Sequence, residues 1–255
     1  MFPFFLLIPI LLFVGFASSF VAGSLGMGYG VISASILVSI GFNPATASAS
    51  IHAAELINYF FLSASHLKLG NVKNEITSSL ALFGVLGGVT GAYLVTRVSA
   101  GPFSLAVNVF LLVLGALMLL RFIKGFSIFE KEDISPFNLK ILGFSAGFVD
   151  AFAGGGWGPI VTSTLFLHNC EARKAIGTSI FTQLFVTSAI TAAFLIFPGN
   201  EIIFDFKIIA SLSIGTLISL PAITFFCKKL PSKILGIIIG IVIIALNMLA
   251  FSKLL

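Results

Sequence analysis

Of the 255 residues, 58% are hydrophobic and 9% charged, with mean hydropathy +1.15, so too little polar surface remains to cover a water-soluble domain. The net charge of +5 comes from Lys and Arg in short turns between apolar runs rather than from a basic face or tail. It therefore reads as charge that sets membrane topology and not as a nucleic-acid footprint.

The apolar runs follow one another almost without pause and do not alternate, so the expected fold is an all-α integral membrane protein. Met1 to Phe20 lacks a positively charged leader, which favours a retained first span over a cleaved signal peptide. Breaks at Gly, Pro and charge place segments near 4–24, 30–42, 45–65, 76–98 and 102–124. A polar stretch at 125–138 follows, expected to be a cytoplasmic linker. Five further segments lie near 139–155, 157–168, 172–198, 205–226 and 231–252. Those at 30–42 and 157–168 are short for a full crossing and read equally as half-helices or re-entrant pieces.

The two halves repeat at an offset of 128 positions. Gly15-Phe16 recurs as Gly143-Phe144, and Gly26-Met27-Gly28-Tyr29-Gly30 as Gly154-Gly155-Gly156-Trp157-Gly158. From Gly15 to Glu55 against Gly143 to Gln183 the register needs no gap, and about eleven of roughly forty positions are identical. The chain is expected to be a first repeat over 1–124 and a second over 139–255.

Charge then gives direction. Ten passages with the N-terminus outside put Lys68, Lys73, Arg121, Lys124, Lys131, Lys140, Arg173, Lys174, Lys228, Lys229 and Lys233 on one side, against Arg97, Lys207 and Lys253 on the other. Treating the two short segments as non-reversing splits the same residues about eight to six, with almost no bias, so the positive-inside rule favours ten. Both termini should then face outside, in a cell (inner) membrane. Five segments per copy make the second copy inverted relative to the first, and matching turns do carry opposite charge bias.

The glycine clusters fit neither a dinucleotide fingerprint nor a phosphate-binding P-loop, so no nucleotide cofactor is expected. In a membrane helix they can end one half-helix and start another, leaving backbone N–H groups and a helix dipole that attract a small anion. The candidate substrate-binding residues are Gly26, Gly28, Tyr29 and Gly30 with Ser33 and Ser35 in the first copy. In the second they are Gly154, Gly155, Gly156, Trp157 and Gly158 with Thr162 and Ser163, next to the polar stripe of Thr178, Ser179 and Gln183. Close helix packing is the competing use of the glycines, back-bonding that of Ser and Thr, and an interfacial belt that of Tyr29 and Trp157.

Ionisable residues inside a membrane are costly and default to functional candidates. His52 and Glu55 lie one turn apart on the third segment, and their repeat counterparts are Ile180 and Gln183. Asp150 stands alone in the sixth segment, where the first copy has Ala22. These three are the candidate proton-coupling residues, since their polarity is not copied. Without a second His or Cys at ligand spacing no metal site is expected, and Cys170 and Cys227 follow no metal pattern. No catalytic triad or zinc-protease motif appears, so the chain does not read as an enzyme.

Gly154-Gly155-Gly156-Trp157-Gly158-Pro159, followed by Ala175-Ile176-Gly177-Thr178-Ser179, resembles the motifs of the sulfite exporter or sulfonate permease family, TauE/SafE. The first copy departs from that pattern: Met27 and Tyr29 interrupt the glycines, Val31 replaces the proline, and Ala49-Ser50-Ile51-His52 replaces G-T-S. The resemblance implies transport of sulfur-containing anions such as sulfite, sulfoacetate or other organosulfonates without ATP. The expected function is thus a secondary transporter working by alternating access, with a small anion and the lipid bilayer as its partners. The alternatives are a non-transporting membrane scaffold and a transporter of another anion or of a cation, the last of which predicts carboxylates converging at the midplane.

Overall fold

The computed structural model describes residues 4–98, 100–124, 134–168, 170–197, 204–226 and 232–251. The chain is all-helical there. The first half holds α1 (Phe4–Leu25), α2 (Tyr29–Ser39), α3 (Pro44–Lys68), α4 (Asn74–Val95) and α5 (Ala100–Lys124). The second holds α6 (Pro136–Ala153), a π-helical turn (Gly158–Thr162) leading into α7 (Ser163–Leu167), α8 (Ala172–Ile196), α9 (Phe206–Phe226) and α10 (Ser232–Phe251). The body of the expected linker, 125–133, and the turns carrying Lys228, Lys229 and Lys253 lie outside the described residues.

Among the described residues, four helical stretches are long and apolar enough to cross a bilayer, namely Leu7–Leu25, Asn74–Val95, Arg173–Ile196 and Phe206–Ile223. Polarity is arranged as in a membrane protein. Phe13, Leu82, Leu195, Ile218 and Met248 are exposed, whereas Ser19, His52, Glu55, Asn58, Asp150 and Thr187 are fully buried.

Residue pairings establish the inversion. Along α3 and α8, Ser63 bonds the Ile180 carbonyl, Glu55 meets Thr187, and His52 lies against Phe194. One number rises as the other falls, so these equivalent helices are antiparallel. On α5 and α10, Gly115 packs on Ile243, Leu119 on Gly240 and Phe122 on Gly236, which is again antiparallel. Two copies whose matching helices oppose one another are inverted repeats.

The copies are also interleaved. The first helix of each packs on the fourth of the other, α1 on α9 and α6 on α4. Gly15 meets Leu212, Ser19 bonds Ser219 and Gly23 meets Ile223. Correspondingly Gly143 meets Leu80, Gly147 meets Gly84 and Gly91 meets Phe148. In lipid no hydrophobic force drives helices together, so backbone approach over small residues does this work. A Cβ at Gly87 would run into the Phe144 carbonyl, and one at the equivalent Gly215 into the Leu12 carbonyl.

The first short segment is re-entrant, not one of ten full passages. The 11 residues of α2 rise about 16 Å, roughly half of a 30 Å hydrocarbon core. Ser33 bonds Ser18, and Gly28 lies against Val21, so α2 folds back along α1 instead of continuing it. Chain direction therefore reverses at Gly26–Gly28, inside the protein. The left-handed conformation of Gly26 (φ 69°) and Gly28 (φ 107°) permits that reversal, and Gly154 (φ 73°) plays the same part after α6.

Candidate functional site

The two reversals meet. Gly30 packs on the Gly154 carbonyl and on Gly155 Cα, while the repeat-equivalent contact sets Gly158 against Met27 and the Gly26 carbonyl. Thr162 ties them further, its hydroxyl donating to the Gly26 carbonyl (2.8 Å) and hydrogen-bonded to Ser179 Oγ (2.8 Å). The centre of the molecule is thus backbone against backbone, and it is closed.

Beside this junction α3 and α6 bring their ionisable groups together under α8. His52, Glu55 and Asp150 are fully buried and offer one ligand atom each within 4.8 Å of one another. Asp150, solitary in the sequence, is so only along the chain. Its Oδ1 accepts from the Trp157 N–H (2.9 Å), capping the start of the second half-helix. Its Oδ2 accepts from Gln183 Nε2 (3.3 Å) and faces His52 Nε2 (3.4 Å).

The other atoms of the cluster are held from behind. His52 Nδ1 lies 2.7 Å from the Ser48 carbonyl, which can only accept, so Nδ1 carries a proton and donates it. Ser48 in turn donates to the Ala151 carbonyl (2.7 Å), joining α3 to α6. Glu55 Oε2 accepts from the Thr187 hydroxyl (2.9 Å). That leaves His52 Nε2 and Glu55 Oε1 buried and without hydrogen-bond partners. With Nδ1 protonated, a neutral His52 turns a lone pair, not a donor, towards Asp150 Oδ2. Three electron-rich atoms then face one sealed point, and electrostatic balance there requires a positive charge.

The remaining candidates divide. Glu55 Oε1 points at the start of α2, 3.2 Å from where a Cβ on Gly30 would sit. The Tyr29, Gly30 and Val31 N–H groups open that helix above the reach of its own hydrogen-bond ladder, and the cap residue Gly28 supplies no side chain. The second half-helix differs, because Asp150 already holds the Trp157 N–H. The half-helix start without a side-chain cap is therefore the first one. The hydroxyls expected beside it are bonded within the protein: Ser33 bonds Ser18, and Ser35 accepts from Asn247. Ser163 is half-buried at the start of α7. Thr178 stands apart, accepting from the Lys73 N–H at the α3–α4 turn.

Tyr29 and Trp157 are not interfacial. Both are fully buried, Tyr29 on Thr216 (3.0 Å) and Trp157 donating through Nε1 to the Ser179 carbonyl (3.1 Å). Gly156 packs on Val149 behind the second break. A cavity of about 410 Å³ opens between the α3–α4 and α7–α8 turns, lined by Val72, Lys73, Glu75, Cys170, Glu171 and Lys174. Cys170 is a free thiol there, and Cys227 lies outside the described residues.

Sequence reasoning missed the convergence of Asp150 with His52 and Glu55. The signal available was that Gln183, on the polar stripe, is the repeat partner of Glu55, so both had to approach the pseudo-symmetry axis that α3 and α8 share.

The chain matches the sulfite exporter TauE/SafE family over residues 11–249. It is also 35% identical over 240 residues to a probable membrane transporter protein, YtnM, of Bacillus subtilis (strain 168), covering 92% of this chain and 79% of that protein. No solved structure matches it.

Proposed function

This chain belongs to the TauE/SafE sulfite exporter family of membrane transporters, and we propose that it carries small sulfur-containing anions, sulfite or an organosulfonate, by proton-coupled alternating access. The observation that supports this most is the placement of the His52, Glu55 and Asp150 cluster against the uncapped start of α2, where the two inverted reversals touch. An anion docking on the Tyr29, Gly30 and Val31 N–H groups meets the helix dipole favourably but two carboxylates unfavourably. Neutralising the cluster removes that repulsion, so proton and anion bind together or not at all.

The fold supplies the motion. The Gly30–Gly155 contact joins one break from each repeat, and movement of the two breaks about it would open the site to alternate faces. The cavity lined by Lys73 and Lys174 lies beside Thr178, which accepts from the Lys73 N–H, and we assign it as the entrance at the cytoplasmic face of the inner membrane. Both termini then face outside, and 1–124 and 139–255 are the two moving units.

Labelled sulfite and sulfoacetate uptake into proteoliposomes tests the substrate class. Uptake of at least one, competed by the other and lost with Gly30→Leu or Gly155→Leu in protein that remains monodisperse, is expected. Equal uptake in empty vesicles, or no effect of either replacement, overturns the assignment.

A further inference from the structure

We propose that the His52, Glu55 and Asp150 cluster is a binding site for a single divalent transition-metal cation of the Zn²⁺ or Mn²⁺ class. It rests on the same residues as the proton-coupling reading but not on anion transport.

Four features carry it. The donor set is mixed and of the right kind, one imidazole nitrogen and two carboxylate oxygens, as in nitrogen- and oxygen-ligated zinc and manganese sites. The spacing fits. Ligands held by bonds of about 2.1 Å in a tetrahedral arrangement stand roughly 3.4 Å apart. His52 Nε2 and Asp150 Oδ2 are 3.4 Å apart, and all three ligand atoms lie within 4.8 Å.

Orientation is fixed from behind for each ligand. His52 Nδ1 donates to the Ser48 carbonyl, which fixes the tautomer that leaves Nε2 free to ligate. Asp150 Oδ1 is held by the Trp157 N–H, and Glu55 Oε2 by Thr187. His52 Nε2 is left facing Asp150 Oδ2, which also accepts from Gln183 Nε2, and Glu55 Oε1 is left without a hydrogen bond. Finally, His52 Nε2 and Glu55 Oε1 are fully buried without a hydrogen bond, His52 Nε2 standing 3.4 Å from Asp150 Oδ2, and no Lys or Arg side chain pairs with them among the described contacts. A divalent cation would balance both carboxylates and satisfy both orphaned atoms. It would neutralise the cluster as protons do, so the two compete for it.

The test is direct binding of Zn²⁺ or Mn²⁺ to the purified, metal-stripped full-length protein, by isothermal calorimetry and by metal content after gel filtration. Incubation at the temperature of transport allows the sealed site to open. One ion per chain is expected, with proton release that changes with the ionisation heat of the buffer. Glu55→Gln and His52→Ala should each lose at least tenfold in affinity. Thr187→Val, which touches no ion but frees the Glu55 carboxylate, should lose about tenfold. A thermal melt identifies variants that remain folded. No stoichiometric binding by the wild type overturns the proposal, as does binding unchanged in folded Glu55→Gln and Thr187→Val. Loss of anion flux with metal binding intact would count against the anion reading alone.

Discussion

Asp150 places one carboxylate oxygen on the Trp157 N–H and the other beside His52, so a single side chain both caps a half-helix and supplies charge. Substitution separates those tasks. Asp150→Asn keeps an oxygen that can accept from Trp157 while removing the charge. Asp150→Ala removes both, leaving a buried N–H and the His52 imidazole unmatched. Breaking a buried, hydrogen-bonded charge in this way costs about 3 kcal/mol. Thermal unfolding in detergent should therefore show Asp150→Ala several degrees below Asp150→Asn, with both variants deficient in coupled transport. Equal melting of the two would mean that the cap contributes nothing.

At the scale of elements, the sequence carried nearly all of the helix boundaries, because each reversal is marked by Gly, Pro or charge in an otherwise apolar chain. The repeat was legible from Gly26-Met27-Gly28-Tyr29-Gly30 and its echo. Whether α2 and α7 crossed was not, since an 11-residue helix after a glycine break can continue its predecessor or fold back on it. The bond between Ser18 and Ser33, which no periodicity announces, decides for folding back. The roles of Ser33, Ser35 and Thr178 were hidden for a related reason: a buried hydroxyl takes whichever partner the neighbouring helix presents, and here those are Ser18, Asn247 and the Lys73 backbone. The orientation assigned to the elements has its own test. With the native cysteines replaced by Ser, a membrane-impermeant thiol reagent applied to whole cells should label Lys207→Cys at the start of α9 and leave Arg173→Cys at the start of α8 unlabelled until the membrane is opened. Both positions are exposed. The reverse pattern would invert the topology read from the basic turns.

Across the whole molecule, near-symmetry sets the frame and its local failures define the chemistry. The frame is two inverted copies interleaved through α1 on α9 and α6 on α4, closed where Gly30 meets Gly155 and Gly158 meets Met27. Against it, His52 answers Ile180, Glu55 answers Gln183 and Asp150 answers Ala22, so charge gathers without a symmetric counterpart where the two breaks meet. On the proposed mechanism an anion is drawn to the uncapped start of α2 when that charge is neutralised, and repelled when it is not. The most direct measurement is sulfite accumulation against its own gradient in proteoliposomes under an imposed pH gradient, with sulfite counterflow measured alongside, in the wild type and in Glu55→Gln. The wild type should do both, whereas Glu55→Gln, permanently neutral at that position, should retain counterflow and lose pH-driven accumulation. Unimpaired pH-driven accumulation by Glu55→Gln would contradict the account.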